Sequence, residues 1–209
     1  YIDAGKQSTI SIGFLSILSR NSITVPLADC LFKSFNDIHF DIYLMDFSEL
    51  RNSLLDGKID ICITTSNDWR LWPKVKVDVL TSKPFEIVYS TCHPLAAREP
   101  FSLSDLAPYT QLTLPPDNLM SGADEWAPLL PCKNSIHCPD INTLLIHTET
   151  GQGFAVLTRV FDGYESPILH YQPLPFSNAH AEVVCIRREI VSPELEEIVK
   201  YICKNFPNI

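Results

Sequence analysis

Leu54-Leu-Asp-Gly-Lys-Ile-Asp-Ile-Cys-Ile63 reads as a helix end that runs at once into a buried strand. Gly57 follows an apolar stripe of Leu50, Leu54 and Leu55, and glycine is the residue that most often closes a helix in a left-handed turn. Ile59 to Ile63 is short, β-branched and almost wholly apolar, the pattern of a strand covered on both faces in a parallel sheet. Ser48 stands just ahead of Leu50 as the expected N-cap of the helix.

Toward the N-terminus, Phe40 to Met45 reads as a second strand. Ile23, Leu27, Leu31 and Phe35 recur at helical spacing, with Asn21 or Ser22 able to cap, and Ser8 to Phe14 alternates into an apolar run as a first strand. Strand, helix, strand, helix, strand within roughly sixty residues predicts a doubly wound α/β unit. Toward the C-terminus, Val75 to Leu80 and Phe85 to Ser90 read as two strands parted by Thr81-Ser-Lys-Pro84. A second block follows: a short helix at Ser102 to Leu106, a strand at Gln111 to Leu114, a proline-rich stretch and a helix near Ala123 to Leu130. It continues with a helix from Asp140 to Glu149 stopped by Gly151, a strand at Phe154 to Leu157 and a semi-extended return at Ile168 to Pro173. Glu182 to Ile186 is a late strand, and Leu195, Ile198, Val199 and Ile202 share one face of a final helix with Pro193 in its first turn.

The composition, 45% hydrophobic and 20% charged over 209 residues, is that of a globular chain. A net charge of -9 speaks against direct binding of nucleic acid, which calls for clustered Lys and Arg. The seven cysteines are odd in number, contain no C-x-x-C and sit mostly in apolar runs, which fits reduced thiols in a cytoplasm better than a disulfide framework. No apolar stretch approaches the ~18 residues of a membrane span, and the start at Tyr1 carries neither an initiator Met nor a secretion signal. The expectation is a segment of a longer protein.

Several segments resemble, in order, the effector domain of the LysR-type transcription regulators. They are Ile10-Ser-Ile-Gly-Phe14; the Leu54 to Ile63 run quoted above; His93-Pro-Leu-Ala96 with Leu103-Ser-Asp-Leu106; and Asn142-Thr-Leu144 with Gly151-Gln-Gly153 and Phe154-Ala-Val-Leu157. Thr158 departs from the proline usual in the family at that point. The resemblance implies two Rossmann-like subdomains joined by crossover hinge strands, a fold similar to the type 2 periplasmic binding proteins. Subdomain I would span 1–82 plus 174–209 and subdomain II 83–173, with hinges near 82–90 and 163–173. A winged helix-turn-helix is expected upstream, so that DNA is contacted only through that missing part. It also implies pairing into a homodimer or tetramer, with Ile23 to Phe35 and Phe40 to Met45 against a partner's second subdomain and Val25, Ala28 and Phe32 as a partly apolar outer edge.

Effectors of this family would lie in the cleft between subdomains, where loops leaving strand carboxyl ends meet helix N-termini. The matching positions in the first subdomain are Ser16, Ser19 and Asn21, then Phe47 and Ser48, then Thr65 and Ser66. In the second they are Leu114 and Pro115, Ile136 to Cys138, and Thr158. Hydroxyls and amides dominate, with Arg20 the cation at the first-strand end, so a small organic acid is the leading ligand class.

Simpler readings stand beside these. Ser19, Asn21, Ser22 and Ser48 are residue types that cap helices. Cys132 and Cys138, with His137, could form a redox or metal switch, but no further ligand pattern accompanies them. Gly151-Gln-Gly153 follows a helix and precedes a strand, the reverse of a dinucleotide loop, and reads as a helix terminator. His93 reads as a turn residue, since no G-x-S-x-G, H-E-x-x-H or paired acidic motif goes with it. Thr158-Arg-Val-Phe161 resembles the Thr-Arg-Phe motif of prephenate dehydratase, broken by Val160. The expectation is a sensor with no catalytic residue, metal, cofactor or membrane contact; a solute-binding protein or a dehydratase-like enzyme are the alternatives.

Overall fold

The computed structural model describes residues 8–65, 72–114, 126–161 and 166–206. The chain divides into two compact units, residues 1–81 with 182–209 (unit 1) and residues 82–181 (unit 2).

Unit 1 begins with β1 (Ser8–Leu15), α1 (Val25–Ser34), β2 (Ile38–Met45), α2 (Phe47–Leu55) and β3 (Ile61–Thr64). β1 lies between β2 and β3 and is parallel to both. Ile12, Phe14, Leu27, Leu31, Leu50, Leu54 and Ile61 are fully buried, so the stripes seen in the sequence are the core. Gly57 takes a φ of 75° behind α2, a conformation that side-chain-bearing residues seldom adopt. The second aspartate of the quoted run is a strut: Asp60 Oδ2 accepts from Ser11 N at 2.9 Å and Oδ1 from Arg188 Nη2 at 3.3 Å. Arg188 Nη1 also donates to the carbonyls of Leu54 and Ile59, both at 3.0 Å, and so pins the helix-to-strand turn.

Unit 2 repeats the plan with β5 (Thr110–Thr113), β6 (Asn134–His137), α3 (Ile141–Glu149) and β7 (Phe154–Thr158). β5 lies between β6 and β7, parallel to both. β6 is not evident in the sequence, and only a short turn at Ala127–Leu129 stands where the end of a helix was expected. All four residues of β6 are exposed, as an edge strand allows, so no apolar alternation marks it. Gly151 ends α3 with a φ of 75°.

Val75 to Ser90 is one strand, β4, rather than two. Pro84 gives up a single donor, while β4 pairs with β7 over Phe85 to Val88 and with β8 (Leu169–Pro173) over Glu86 to Ser90. These ladders override the break that Thr81 to Pro84 suggested. β9 (His180–Arg188) runs antiparallel to β3 and neighbours β4, and α4 (Pro193–Asn205) closes the chain behind the cap Ser192. The unit boundary crosses β4 at 81–82 and β9 at 181–182. The return crossing therefore falls later than the 163–173 segment suggested by the sequence, because β8 and the residues after it stay bonded to unit 2: Leu174 N donates to Phe85 O at 3.1 Å and Phe85 N to Ala179 O at 2.9 Å. In unit 1 the guanidinium of buried Arg187 on β9 holds Glu196 of α4 through Nε and Nη2, each at 3.0 Å, and also pairs with Asp78 of β4.

Candidate functional site

In unit 1 the parallel register sets Leu15 beside Met45 and Phe14 beside Ile63, which gathers the carboxyl ends of β1, β2 and β3 at one edge of the sheet. Ser16 is exposed there and its N–H donates to Met45 O at 2.8 Å. The cap before α1 is Ser19, not Asn21 or Ser22. Its Oγ accepts from Ser22 N at 3.2 Å and its carbonyl accepts from Ile23 N and Thr24 N at 3.0 Å, closing a wide helical turn over Arg20–Thr24. Ser19 is only 6% exposed, whereas Asn21 points to the surface.

The cap of α2 is Asp46, not Ser48. Asp46 Oδ1 accepts from Glu49 N at 2.8 Å and Glu49 Oε2 from Asp46 N at 3.3 Å, a reciprocal pair that leaves Ser48 exposed in the first turn. Phe47 packs on Trp72, ring centres 5.6 Å apart. Thr64 and Thr65, at the end of β3, are both buried. Ser66 lies outside the described residues.

Unit 2 mirrors this edge. Thr113 pairs with His137 and Leu112 with Ala155, so β5, β6 and β7 end together. Cys138 is buried and its N–H donates to Thr113 O at 2.8 Å; burial, with the Asp140 carboxylate adding to it, pushes its thiol pKa up, away from the reactive thiolate. Hydrogen bonds from Thr143 hold Asp140 below the usual carboxylate range and make it the cap of α3. Ile136 is 45% exposed on β6, Leu114 half-buried and Thr158 fully buried; Pro115 lies outside the described residues.

Three features of these edges were not singled out from the sequence. Thr113 Oγ1 lies 2.7 Å from His137 Nδ1. Arg159, directly after Thr158, sets its Nε 3.3 Å from Glu86 Oε2 and its guanidinium 5.3 Å from the centre of the Tyr171 ring. Burial raises the Glu86 pKa and Arg159 opposes the rise. Third, the hydroxyls of Thr24, Thr64 and Thr158 are buried and find no hydrogen-bond partner among the described residues. Thr64 and Thr158, each last in an apolar strand, offered a signal for it, and Thr24 offered none.

His93, by contrast, is buried away from these edges. Its Nδ1 accepts from Leu95 N at 3.2 Å, which makes it the cap of the turn Pro94–Arg98, and burial lowers its pKa. Among the described residues no three His, Cys, Asp or Glu side chains stand together as metal ligands, and no helix is long and apolar enough to cross a membrane. The edges thus offer hydroxyls, backbone N–H groups at helix starts and flanking arginines, a set suited to holding a small polar molecule.

The effector binding domain of BenM, solved with its effector benzoate, is 17% identical, with 98% of this chain and 94% of that one covered at a TM-score of 0.77. The reduced regulatory domain of OxyR2 from Vibrio vulnificus is 14% identical, covering 100% and 99% at a TM-score of 0.81. Full-length CbnR in complex with its target DNA is 15% identical, covering 97% and 72% at 0.74. At such identities the likeness speaks for the fold alone. A search of curated protein sequences finds no match. The sequence profile of the LysR substrate binding domain, however, matches residues 3–203, so the chain belongs to that family, the effector-binding part of LysR-type transcription regulators.

Proposed function

We propose that the chain is a cytoplasmic sensor without chemistry of its own, which binds a small organic acid at the carboxyl edges of its parallel strands and thereby controls how copies of the protein associate. The observation that carries this reading is the gathering of buried polar residues at those edges: Ser19, Thr64 and Thr65 in unit 1 and Thr158 in unit 2. Buried hydroxyls and helix-start N–H groups favour anionic and polar ligands. BenM, of the same fold, is seen with benzoate. DNA contact would be made by a segment outside this chain, whose net charge of -9 repels phosphate.

Thermal shift with a panel of small carboxylic acids and matched amines tests the ligand class. A bound acid at 100 times its dissociation constant stabilises by about 2.7 kcal/mol, roughly 5–10 °C for a chain of this size. Hits among amines and none among acids would overturn the assignment.

Association is assigned to α1 and β2. Val25 and Phe32 on α1 are 50% and 49% exposed, and Tyr43 and Leu44 on the edge strand β2 are 42% and 55% exposed. Exposed large apolar side chains on an edge strand and its neighbouring helix favour an interface, here with a second copy. Leu44→Glu is expected to move the sedimentation profile from dimer to monomer. A Leu44→Glu protein that sediments like the wild type would place the interface elsewhere.

A further inference from the structure

A buried carboxylate is costly unless its oxygens are paired and hydrogen-bonded. Glu86 of β4, inside unit 2, meets that condition poorly. It is 5% exposed, and its Oε2 is buried with no hydrogen-bond partner among the described residues. Arg159 Nε stands 3.3 Å from that oxygen, at ion-pair distance. The sheet itself asks for no charge here, since Glu86 sits opposite Leu157 of β7 and Pro173 of β8.

Over this stretch β4 lies between β7 and β8, and Arg159 reaches across all three. Its side chain leaves the residue after β7, meets Glu86 of β4 and brings the guanidinium 5.3 Å from the centre of the Tyr171 ring on β8. The pair is lopsided. The Arg159 side chain is 56% exposed and that of Glu86 is 6% exposed, so the cation faces water and can take a second anion, while the carboxylate beneath it is shut off. Alternation along the strands sets Pro84 and Val88 of β4 and Tyr171 of β8 on the same face as Glu86, and Lys83 of β4 and His170 of β8 on the other. His170 Nδ1 is held by Glu99 at 2.6 Å. Arg159 is thus the charged group that faces Glu86, and it works against the rise in pKa that burial imposes.

We propose that Arg159 is an anion site of unit 2 linked to a proton: a carboxylate that pairs with the guanidinium draws it off Glu86, and Glu86 takes up a proton from solvent. This is a regulation of the acid binding proposed above and rests on that reading. The charges balance, since one anion arrives on Arg159 and one proton neutralises the carboxylate left behind. By reciprocity the chain with Glu86 protonated binds the anion more tightly, so affinity for an acid rises as pH falls through the Glu86 titration. A chain built this way reads the acid and the pH together.

Carbon-13 NMR of the whole chain with labelled glutamate side chains follows that titration, the Glu86 signal being identified by its loss in Glu86→Gln. The probe is formate, the smallest carboxylate, which stays ionised above about pH 5, added at constant ionic strength. Arg159→Gln keeps much of the cover and removes the charge, and is expected to raise the Glu86 midpoint by about one pH unit, while Arg159→Lys leaves it near the wild-type value. Formate is expected to raise the wild-type midpoint by a similar amount, equivalent to about tenfold tighter binding by the protonated form, and to leave the Arg159→Gln midpoint where it is.

A wild-type midpoint that formate does not move, or moves equally in Arg159→Gln, overturns the proposal. So does an Arg159→Gln midpoint at or below that of the wild type. If the proposal fails in this way while acids of the thermal panel stabilise the chain, the proton-linked site is wrong and the acid sensor stands. If every acid of the panel fails, the sensor reading falls with it.

Discussion

Gly153→Ala is expected to destabilise unit 2 by about 3 kcal/mol or more, at the upper end of what overpacking a core costs. A Cβ at this position would lie 2.4 Å from Thr110 O and 3.2 Å from Leu112 Cγ. The nearer obstacle is backbone, and it belongs to β5, which pairs with β7 at Gln111–Phe154 and Leu112–Ala155. Relief thus requires prising apart the two central strands of the unit, and no rotamer change can supply it. Gly151→Ala makes the contrast. Its φ of 75° is strained for alanine, but the added carbon would meet Cys92 Sγ at 2.8 Å, the end of an exposed side chain that can turn aside. That variant should lose only about 1 kcal/mol. Urea titration of both proteins checks the pair, and a Gly153→Ala protein within 1 kcal/mol of the wild type would show that close strand approach is not what this glycine provides.

The two glycines also show how far the sequence could be read. Gly151 is legible as a helix terminator, because the apolar spacing of α3 stops at Glu149 and glycine is the usual residue beyond such an end. Gly153 is not, since its constraint is a carbonyl more than forty residues earlier in the chain. The same division runs through the fold. β1, β3, β7 and α4 are legible because burial imposes a pattern on their residues. β6 escapes because an exposed edge imposes none, and β4 looks broken because Pro84 is visible locally while its partners β7, β8 and β9 are not.

At the strand ends, the sequence places the loops after β1, β2 and β3 where the structure has them. The choice of side chain within each loop fails where several capping residues crowd together, as with Ser19 over Ser22 and Asp46 over Ser48. A capping bond needs a particular backbone geometry one to three residues on, which composition does not reveal. That the hydroxyls of Thr64 and Thr158 find no partner among the described residues is a property of their surroundings, which strand position hints at and composition does not reveal.

Ser19 and Thr65 carry the second large expected effect. Ser19 is 6% exposed and Thr65 3%, one after β1 and the other after β3, strands whose carboxyl ends lie side by side. If each donates to a ligand carboxylate, its loss costs about 1.5 kcal/mol or more, since hydrogen bonds to charged groups are the stronger kind. Together that is roughly a hundredfold in Kd. Ser19→Ala also removes the Oγ that accepts from Ser22 N, so the double variant will melt at a lower temperature. Affinity must therefore be measured at a temperature where both proteins are folded.

Isothermal titration of the strongest acid from the thermal panel into the wild type and into the Ser19→Ala, Thr65→Ala double variant is that measurement. A roughly hundredfold loss of affinity in the folded double variant is the predicted result. Equal affinity in the two proteins would contradict the placement of an acid at the carboxyl ends of these strands.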